Sequence, residues 1–542
     1  MRGLMQHDPL ILTRILERAS TYFPDRGVST HTADDGLVSE PYPAVGERAR
    51  RLASAIRRLG VRPGDRVATF AWNSSRHLEL YFAVPGTGAV LHTLNVRLHP
   101  DRVAWIADHA QDRIAFVDAS LADAFEPVRR KLTSLEKVVV MDDVGAGAPA
   151  HTDAVYEELL QGGDAEFPWP DLNEDDAAFL CYTSGTTGRP KGVLYSHRAL
   201  VLHAFMMNQA EVIGLTSADS VLPVVPMFHA NGWGFPHAAT LAGANLVFTG
   251  CAGAGPHVLG GLVEGRRVTV AAGVPTVWID LLRHLEECPH DLASLRMIKS
   301  GGAPLPPSLV QAYDQRHGVR LVQGWGMTET SPLAAIAATD AEGAGRWEAS
   351  ARGGRPVPGI RARVVDGTGA DVPWDDATMG ELLVRGNWVA DGYFRADEEP
   401  GAPAGSPAPG EDGWLRTGDV AVVDDAGSLR LTDRTKDLVK SGGEWISTIE
   451  LESALMGHPA VLESAVVAAP HERWQERPVA FVVLRPGATA TAEDLRAYLA
   501  PRFVRWWLPD EVIFVEEIPK TSVGKFDKRA LRDRVRERSG PD

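Results

Sequence analysis

The chain has 542 residues, 44% of them hydrophobic and 23% charged, the composition of a globular protein with large buried cores and no long disorder. It exceeds the roughly 250–300 residues at which a single hydrophobic core stops growing, so at least two domains are expected. With 55 Lys and Arg against 71 Asp and Glu, the formal net charge is −16, which argues against nucleic acid or an anionic membrane as the main partner and requires any phosphate ligand to meet a locally positive site.

The opening stretch MRGLMQHDPLILTRILERAS sets Asp8 and Arg14 among few apolar residues and lacks the apolar run of a signal peptide. A cytoplasmic location is expected. From there to about residue 170, helix-like and strand-like segments alternate: an amphipathic helix over 46–59, strands over 66–70 and 114–117. This βα rhythm of a layered α/β domain continues through strands expected at 220–225, 245–248, 268–271 and 296–300. Residues 238–263 carry no Asp, Glu, Lys or Arg and are long enough to cross a bilayer. Their many glycines, with Asn245, Pro256 and His257, read as a buried strand and loops, so no stable membrane insertion is expected. The three cysteines, Cys181, Cys251 and Cys288, have no metal-ligand spacing and read as small buried hydrophobes in a reducing compartment.

The Pro-, Gly- and Ala-rich segment 399–412 reads as an exposed connection. Beyond about 433 the texture changes to a compact α+β module: a helix near 449–456, strands near 464–469 and 478–484, a helix at 492–500 and a final basic helix. The fold class expected is a large multi-layered N-terminal α/β domain over 1–432, a hinge at 433–438, and a small mobile α+β C-terminal domain over 439–542.

Four segments carry the chemistry. YTSGTTGRPKG at 182–192 follows an apolar strand at 177–181. Its glycines and hydroxyl residues let backbone N–H and side-chain O–H groups close around phosphate oxygens, and Lys191 adds positive charge. The order G-x-x-x-x-G-K-[ST] is absent, so a P-loop kinase or ATPase loses support. SGGAP at 300–304 and QGWGMTET at 323–330 follow. There Gly302 permits close approach to a flat base, Trp325 offers a stacking face, Thr328 a phosphate contact and Glu329 a ligand for Mg²⁺. Taken alone, Trp325 reads as a core aromatic. Third, WLRTGD at 414–419 precedes DRTKDLVKSGGEWI at 433–446. Asp419 is suited to accept both hydrogen bonds of a ribose diol, while Arg434, Lys436 and Lys440 bring positive charge to the expected domain boundary. Last, PKTSVGK at 519–525 puts Lys525 on a Gly-containing loop just before the closing helix, where a lysine that swings in can neutralise charge between a carboxylate and an α-phosphate.

In order and spacing these segments resemble the adenylate-forming superfamily of acyl-CoA synthetases, firefly luciferases and peptide-synthetase adenylation domains, from about Glu47 to Arg534. YFAVPG at 81–86, VPMFHANGW at 225–233, KSGGEWIS at 440–447 and WQERP at 474–478 look most like bacterial long- and medium-chain fatty acyl-CoA synthetases. The resemblance implies activation of a carboxylic acid, expected to be a fatty acid, to acyl-AMP with Mg²⁺ and ATP, then thioester formation with coenzyme A, in a homodimer. It implies that Thr183, Ser184, Gly185, Thr186, Thr187, Gly188 and Lys191 hold phosphates, with Ser184 and Glu329 at the metal. Gly302, Ala303, Gln323, Gly324, Trp325, Gly326 and Thr328 would hold AMP, with Asp419 and Arg434 at its ribose. Lys525, Glu329, Thr328 and His229 would be catalytic. His229, Ala230 and Trp233 would line the acyl tunnel, Gly443 and Glu444 would meet the incoming thiol, Lys436 and Lys440 would gate the nucleotide, and Trp445 would close on adenine. At Trp325 the family usually has Tyr, so a stacking face is kept and a phenol lost. An acceptor other than coenzyme A, such as an amine or a carrier-protein thiol, is the nearest rival, and an aryl acid stays open because Ala230, Gly232 and Gly234 are small. A catalytically silent binding protein is disfavoured because Lys191, Glu329, Asp419 and Lys525 are all competent residues.

Overall fold

Short apolar runs alternating with amphipathic helices build two mainly parallel sheets, as buried βα units should. The computed structural model describes residues 1, 3–32, 36–141, 152–183, 189–337, 343, 345–396, 412–434, 437–441, 444–521 and 525–539. A seven-stranded sheet runs in the order Ala154–Val155, Lys137–Met141, Asp112–Asp118, Arg66–Phe70, Val90–Thr93, Ala177–Tyr182 and Gly192–Ser196, antiparallel only at the last pair. A nine-stranded sheet has the parallel centre Arg320–Gly326, Met297–Gly301, Val270–Gly273, Ser220–Pro223, Asn245–Phe248 and Gly27–His31, flanked by antiparallel edge strands. A four-stranded antiparallel sheet follows, Ile360–Val365, Gly380–Gly386, Leu415–Val423 and Leu429–Arg434. One apolar core joins all three, with Phe179 from the first sheet, Val322 from the second and Val384 from the third in the same cluster.

Strands from Val439 onward pair only among themselves, in a five-stranded sheet. Alternation along Val461–His471 sends Val466 to one face, against Leu451, Leu495 and Leu499, and Ala465 and Val467 to the other, against Ile518, Leu531 and Val535. The final helix, Lys528–Ser539, is tied inward by Lys528 Nζ, which lies 2.8 Å from Glu452 Oε1. Thr448 in turn donates to Asp433 Oδ2 through its backbone N–H at 2.8 Å and its hydroxyl at 2.5 Å, so the closing helix and the end of the preceding sheet meet through one buried polar cluster.

The expected elements recur with small shifts of boundary. The helix expected at 46–59 is Tyr42–Arg58, with Pro43 in its first turn, and a helix at Leu12–Tyr22 precedes it. The strand expected at 268–271 is Val270–Gly273, because Val268 still donates to Val263 O at the end of the preceding helix. The charge-free stretch 238–263 divides into a helix ending at Ala242, the strand Asn245–Phe248 and the start of the helix Pro256–Gly265. Among the described residues no helix is long and apolar enough to cross a membrane. Cys181 is buried, but Cys251 is half-buried and Cys288 exposed, which corrects the reading of all three as core residues. Cys288 ends the helix Pro275–Glu287 on the surface side. Residues 399–411 of the Pro/Gly-rich segment lie outside the described residues.

Candidate active site

The carboxyl ends of the parallel strands converge on one cavity of about 280 Å³, where an open α/β sheet is expected to take its ligand. Thr183 follows Ala177–Tyr182, His229 and Ala230 follow Ser220–Pro223, Gly301 and Gly302 end Met297–Gly301, and Gly324 to Glu329 close Arg320–Gly326. Arg416, Thr417 and Arg434 enter from the four-stranded sheet, and Lys525 from the C-terminal module.

Thr183 and Lys191 clasp the base of the phosphate-type loop. Thr183 N–H donates to Lys191 O at 2.9 Å, and Lys191 N–H donates to Thr183 Oγ1 at 3.1 Å. Ser184, Gly185, Thr186, Thr187 and Gly188 lie outside the described residues. Lys191 Nζ stands 4.7 Å from the centre of the Tyr393 ring, and the Tyr393 hydroxyl donates to Glu329 Oε1 at 2.6 Å. Burial and the Glu329 charge raise the Tyr393 phenol, which stays protonated. Glu329 is only 6% exposed, and Thr328 beside it is positioned through its carbonyl, which accepts the Tyr195 hydroxyl at 2.6 Å.

Asp419 is reached from two sides. Trp325 Nε1–H donates to its Oδ2 at 2.8 Å, and Arg434 Nε lies 3.1 Å from its Oδ1. Trp325, at 6% exposure, is thus pinned by its indole N–H. Gln323 Nε2 donates to Ala303 O at 3.2 Å, and its buried Oε1 has no partner among the described residues.

Lys525 stands against Gly302. A Cβ there would lie 3.1 Å from Lys525 Cε and 3.5 Å from the Trp233 ring, and Gly302 has φ +79°, so both the space and the backbone call for glycine. Burial lowers the Lys525 pKa, Arg434 lowers it further and Asp419 opposes them, leaving it at about 8. Its loop is closed by Thr521, whose N–H donates to Lys525 O at 2.6 Å and whose Oγ1 accepts from Lys525 N–H at 3.2 Å.

Trp233 is carried by five consecutive left-handed residues, Ala230, Asn231, Gly232, Trp233 and Gly234, with φ between 42° and 76°. Each non-glycine in that state costs roughly 1–2 kcal/mol, so surrounding bonds must hold the turn. Asn231 Oδ1 accepts from Cys181 Sγ at 2.9 Å. Upstream, Asn73 donates to Pro223 O and Val225 O and accepts from Met227 N–H, while the Tyr81 hydroxyl donates to Met227 O. The first sheet's helical layer thereby positions His229. Burial, then Lys525 and Arg97, lower the His229 pKa to about 3, so its imidazole is neutral.

Most of the expected residues that are described line this one cavity; Asp419, Gln323 and Ala303 stand behind the lining, Asp419 bonded to Trp325 and Gln323 to Ala303, and others stand apart. Lys440 and Trp445 face each other across the hairpin of Val439–Ser441 and Glu444–Ile446, with the ammonium 4.8 Å from the ring centre. Neither lines the cavity, and Trp445 is 39% exposed. Lys436 and Gly443 lie outside the described residues, as does the side chain of Glu444. Sequence reasoning missed Tyr393, Arg416 and Lys299 in the cavity wall, and Met207, Phe235 and Leu333 on its apolar side. Arg416 stood inside the quoted WLRTGD motif, and Lys299 was signalled by a charge in the middle of the buried strand Met297–Gly301. Tyr393 had no signal of its own. A separate trio, His257, His284 and His290, brings ring nitrogens within 4.8 Å of one another, but none lines the cavity.

Comparison with known proteins matches residues 16–394 to the AMP-binding enzyme family and residues 450–525 to the AMP-binding enzyme C-terminal domain. The chain is 42% identical to a 3-methylmercaptopropionyl-CoA ligase of Ruegeria pomeroyi, over 99% of each chain. It is 46% identical to a long-chain-fatty-acid–CoA ligase of Thermus thermophilus, over 98% of this chain and 97% of the relative. Among solved structures, an anthranilate CoA ligase in complex with anthranoyl-AMP superposes with a TM-score of 0.89 at 26% identity, over 98% of this chain and 99% of the other.

Proposed function

Since the chain belongs to the AMP-binding enzyme family, we propose that this cavity carries both half-reactions of an acid–thiol ligase, with Lys525 serving the first. The enzyme uses ATP to activate a carboxylic acid as acyl-AMP and then forms the thioester of coenzyme A. In the first step a carboxylate oxygen attacks the α-phosphorus, and the bond to the bridging oxygen breaks as pyrophosphate leaves. In the second the coenzyme A sulfur attacks the acyl carbon and AMP leaves with the bonding pair.

One observation carries the assignment: Lys525, on a loop of the C-terminal module, whose described strands pair only among themselves, stands inside a cavity otherwise lined from the three preceding sheets, against Gly302 and beside Asp419 and Arg434. At neutral pH its ammonium is charged, and it balances charge that develops between the attacking carboxylate and the α-phosphate. Lys191, Thr183 and Thr328 bind the phosphates, with 184–188 completing the loop. Each Asp419 oxygen has two acceptor positions, so the bonds from Trp325 and Arg434 leave one on each for the ribose diol. Gly302, Ala303, Gln323, Gly324, Trp325 and Gly326 form the nucleotide wall, and neutral His229, with Ala230 and Trp233, lines the acyl side. Glu329, a buried carboxylate of the oxygen type that Mg²⁺ takes, fits as the residue holding that ion, which would neutralise phosphate charge.

For the second step we assign a rotation of 439–542 about 433–438, withdrawing Lys525 and bringing Lys440, Gly443, Glu444 and Trp445 inward, an ordinary hinge device. That motion accounts for Lys440 and Trp445 standing outside the cavity wall while Lys525 is inside. A fatty acid as the substrate of a cytoplasmic homodimer completes the reading, the likeness to a long-chain-fatty-acid–CoA ligase supporting the acid. The test is pyrophosphate release with Mg²⁺ and ATP across straight-chain and aryl acids, with and without coenzyme A, products being identified by mass. Acyl-CoA from one class of acid supports the reading; acyl-AMP without thioester redirects it to another acceptor.

A further inference from the structure

Lys299 is a buried cationic residue of the cavity wall to which the two half-reactions give no part. It sits mid-strand in Met297–Gly301, between neighbours buried on both sides, and is only 3% exposed. Among the described residues its Nζ has no hydrogen-bond partner. Space for it is made by Gly324 on the adjacent strand, where a Cβ would coincide with the ammonium, and Leu333 Cδ1 lies 3.2 Å from that same point. Gly324 has no positive φ, so its lack of a side chain is explained by the lysine and not by the backbone.

A buried ammonium without a partner is among the costliest groups a core can hold, and burial alone brings this one down to about 7. It is also a binding group facing a cavity, because Lys299 is part of the lining with the apolar Met207, Phe235 and Leu333. The strands fix its depth. Gly324, beside which the ammonium lies, pairs with Gly301, so the Lys299 side chain runs along its own strand and brings Nζ level with Gly301, one residue short of Gly302 where Lys525 stands. An acyl chain whose carboxyl lies at Lys525 and which passes Gly301 meets the Lys299 ammonium.

We propose that Lys299 is a binding residue for a second oxygen acceptor on the acyl substrate, so that the preferred acids carry a carboxylate, keto or hydroxyl oxygen a few atoms from the reacting carboxyl. This rests on the ligase reading and sharpens its acid. A plain alkyl end would bury the ammonium with no acceptor, whereas an oxygen acceptor supplies the bond the site lacks, and a carboxylate also balances its charge.

The test compares Lys299→Met, which keeps the stem length and removes the charge, with the wild-type enzyme. Both are assayed for kcat/KM in acyl-CoA formation on plain alkanoates and on their ω-carboxyl, ω-hydroxy and penultimate-keto counterparts of equal length. The wild-type enzyme is expected to favour at least one functionalised series by about tenfold or more, as a hydrogen bond to a charged group supplies. Lys299→Met is expected to erase that preference while using plain alkanoates at least as well, and the series most affected identifies the acceptor. A ratio unchanged by the substitution overturns the proposal, and so does equal loss on every acid, which would put Lys299 at the reacting carboxyl. If neither protein forms a thioester, the ligase reading fails by itself, and the same acid pairs are scored by calorimetric binding in the presence of AMP. There too, Lys299→Met must remove the preference for the functionalised acid.

Discussion

Lys299 and Lys525 present ammonium groups to the same cavity from two different scaffolds. Lys299 rises from a central strand of the nine-stranded sheet, closed in by Gly324 and Leu333. Lys525 sits on a loop of the C-terminal module, held by Thr521 and faced by Asp419 and Arg434. A group on a buried strand keeps one position throughout turnover and is suited to recognition. A group on a separate module can be delivered and withdrawn, which is what a lysine needed for only one half-reaction requires.

The largest effect should come from the delivered lysine. Lys525→Ala is expected to slow acyl-AMP formation by about 10²–10³ with ATP binding kept, as read by pyrophosphate release and equilibrium binding. A near-normal first step would make the two lysines equivalent in dispensability and break the contrast. Next, Gly324→Ala drives a methyl into the Lys299 ammonium and should destabilise by about 1–3 kcal/mol, the usual cost of overpacking. Adding Lys299→Met should recover most of that in the thermal midpoint, and failure to recover would mean that the glycine is needed for something else. Trp325→Phe keeps the ring but frees Asp419 Oδ2. The loss of one bond to a charged group, about 1.5–3 kcal/mol at most, should appear mainly as a higher KM for ATP. Tyr393→Phe leaves Glu329 Oε1 without its donor and should shift the Mg²⁺ requirement by a few-fold, checked by titrating the ion at fixed ATP.

The smallest effect is in pH. The Lys525 ammonium, lowered by burial and Arg434 against Asp419, is charged below about 8 and is lost as pH rises through that value. First-step rates should therefore fall above it. His229, neutral down to about 3, should contribute no step between. Lys299 is lowered by burial alone to about 7, so preference for an acidic or oxygen-bearing acid should fade at lower pH than the rate does. Coincident profiles would argue against separate roles.

Legibility in the sequence followed the same divide. What could be read was which local segments meet at the cavity: Thr183 and Lys191 at the two ends of their loop, Gly302, Asp419 behind the lining, and Lys525 before the closing helix. The α/β rhythm gave the strands to within a few residues, because burial on both faces leaves short apolar runs. What could not be read were contacts between segments far apart in the chain. Nothing local announces that Trp325 reaches Asp419 ninety-four residues on, or that Tyr393 caps Glu329. The left-handed run at 230–234 was hinted at only by its small residues. Lys299 was legible as a charge inside a strand pattern of buried residues, but not its neighbour: its register partner is Val322, and only the run of its side chain along the strand brings the ammonium to Gly324.

The most direct measurement of the central claim is the rate of acyl-AMP formation by Lys525→Ala and Lys299→Met on one plain and one oxygen-bearing acid of equal length. The account predicts that Lys525→Ala falls on both acids by the same large factor, while Lys299→Met falls only on the oxygen-bearing one. Matching losses on both acids by the two variants would contradict it, leaving one functional cluster where two separate roles are claimed.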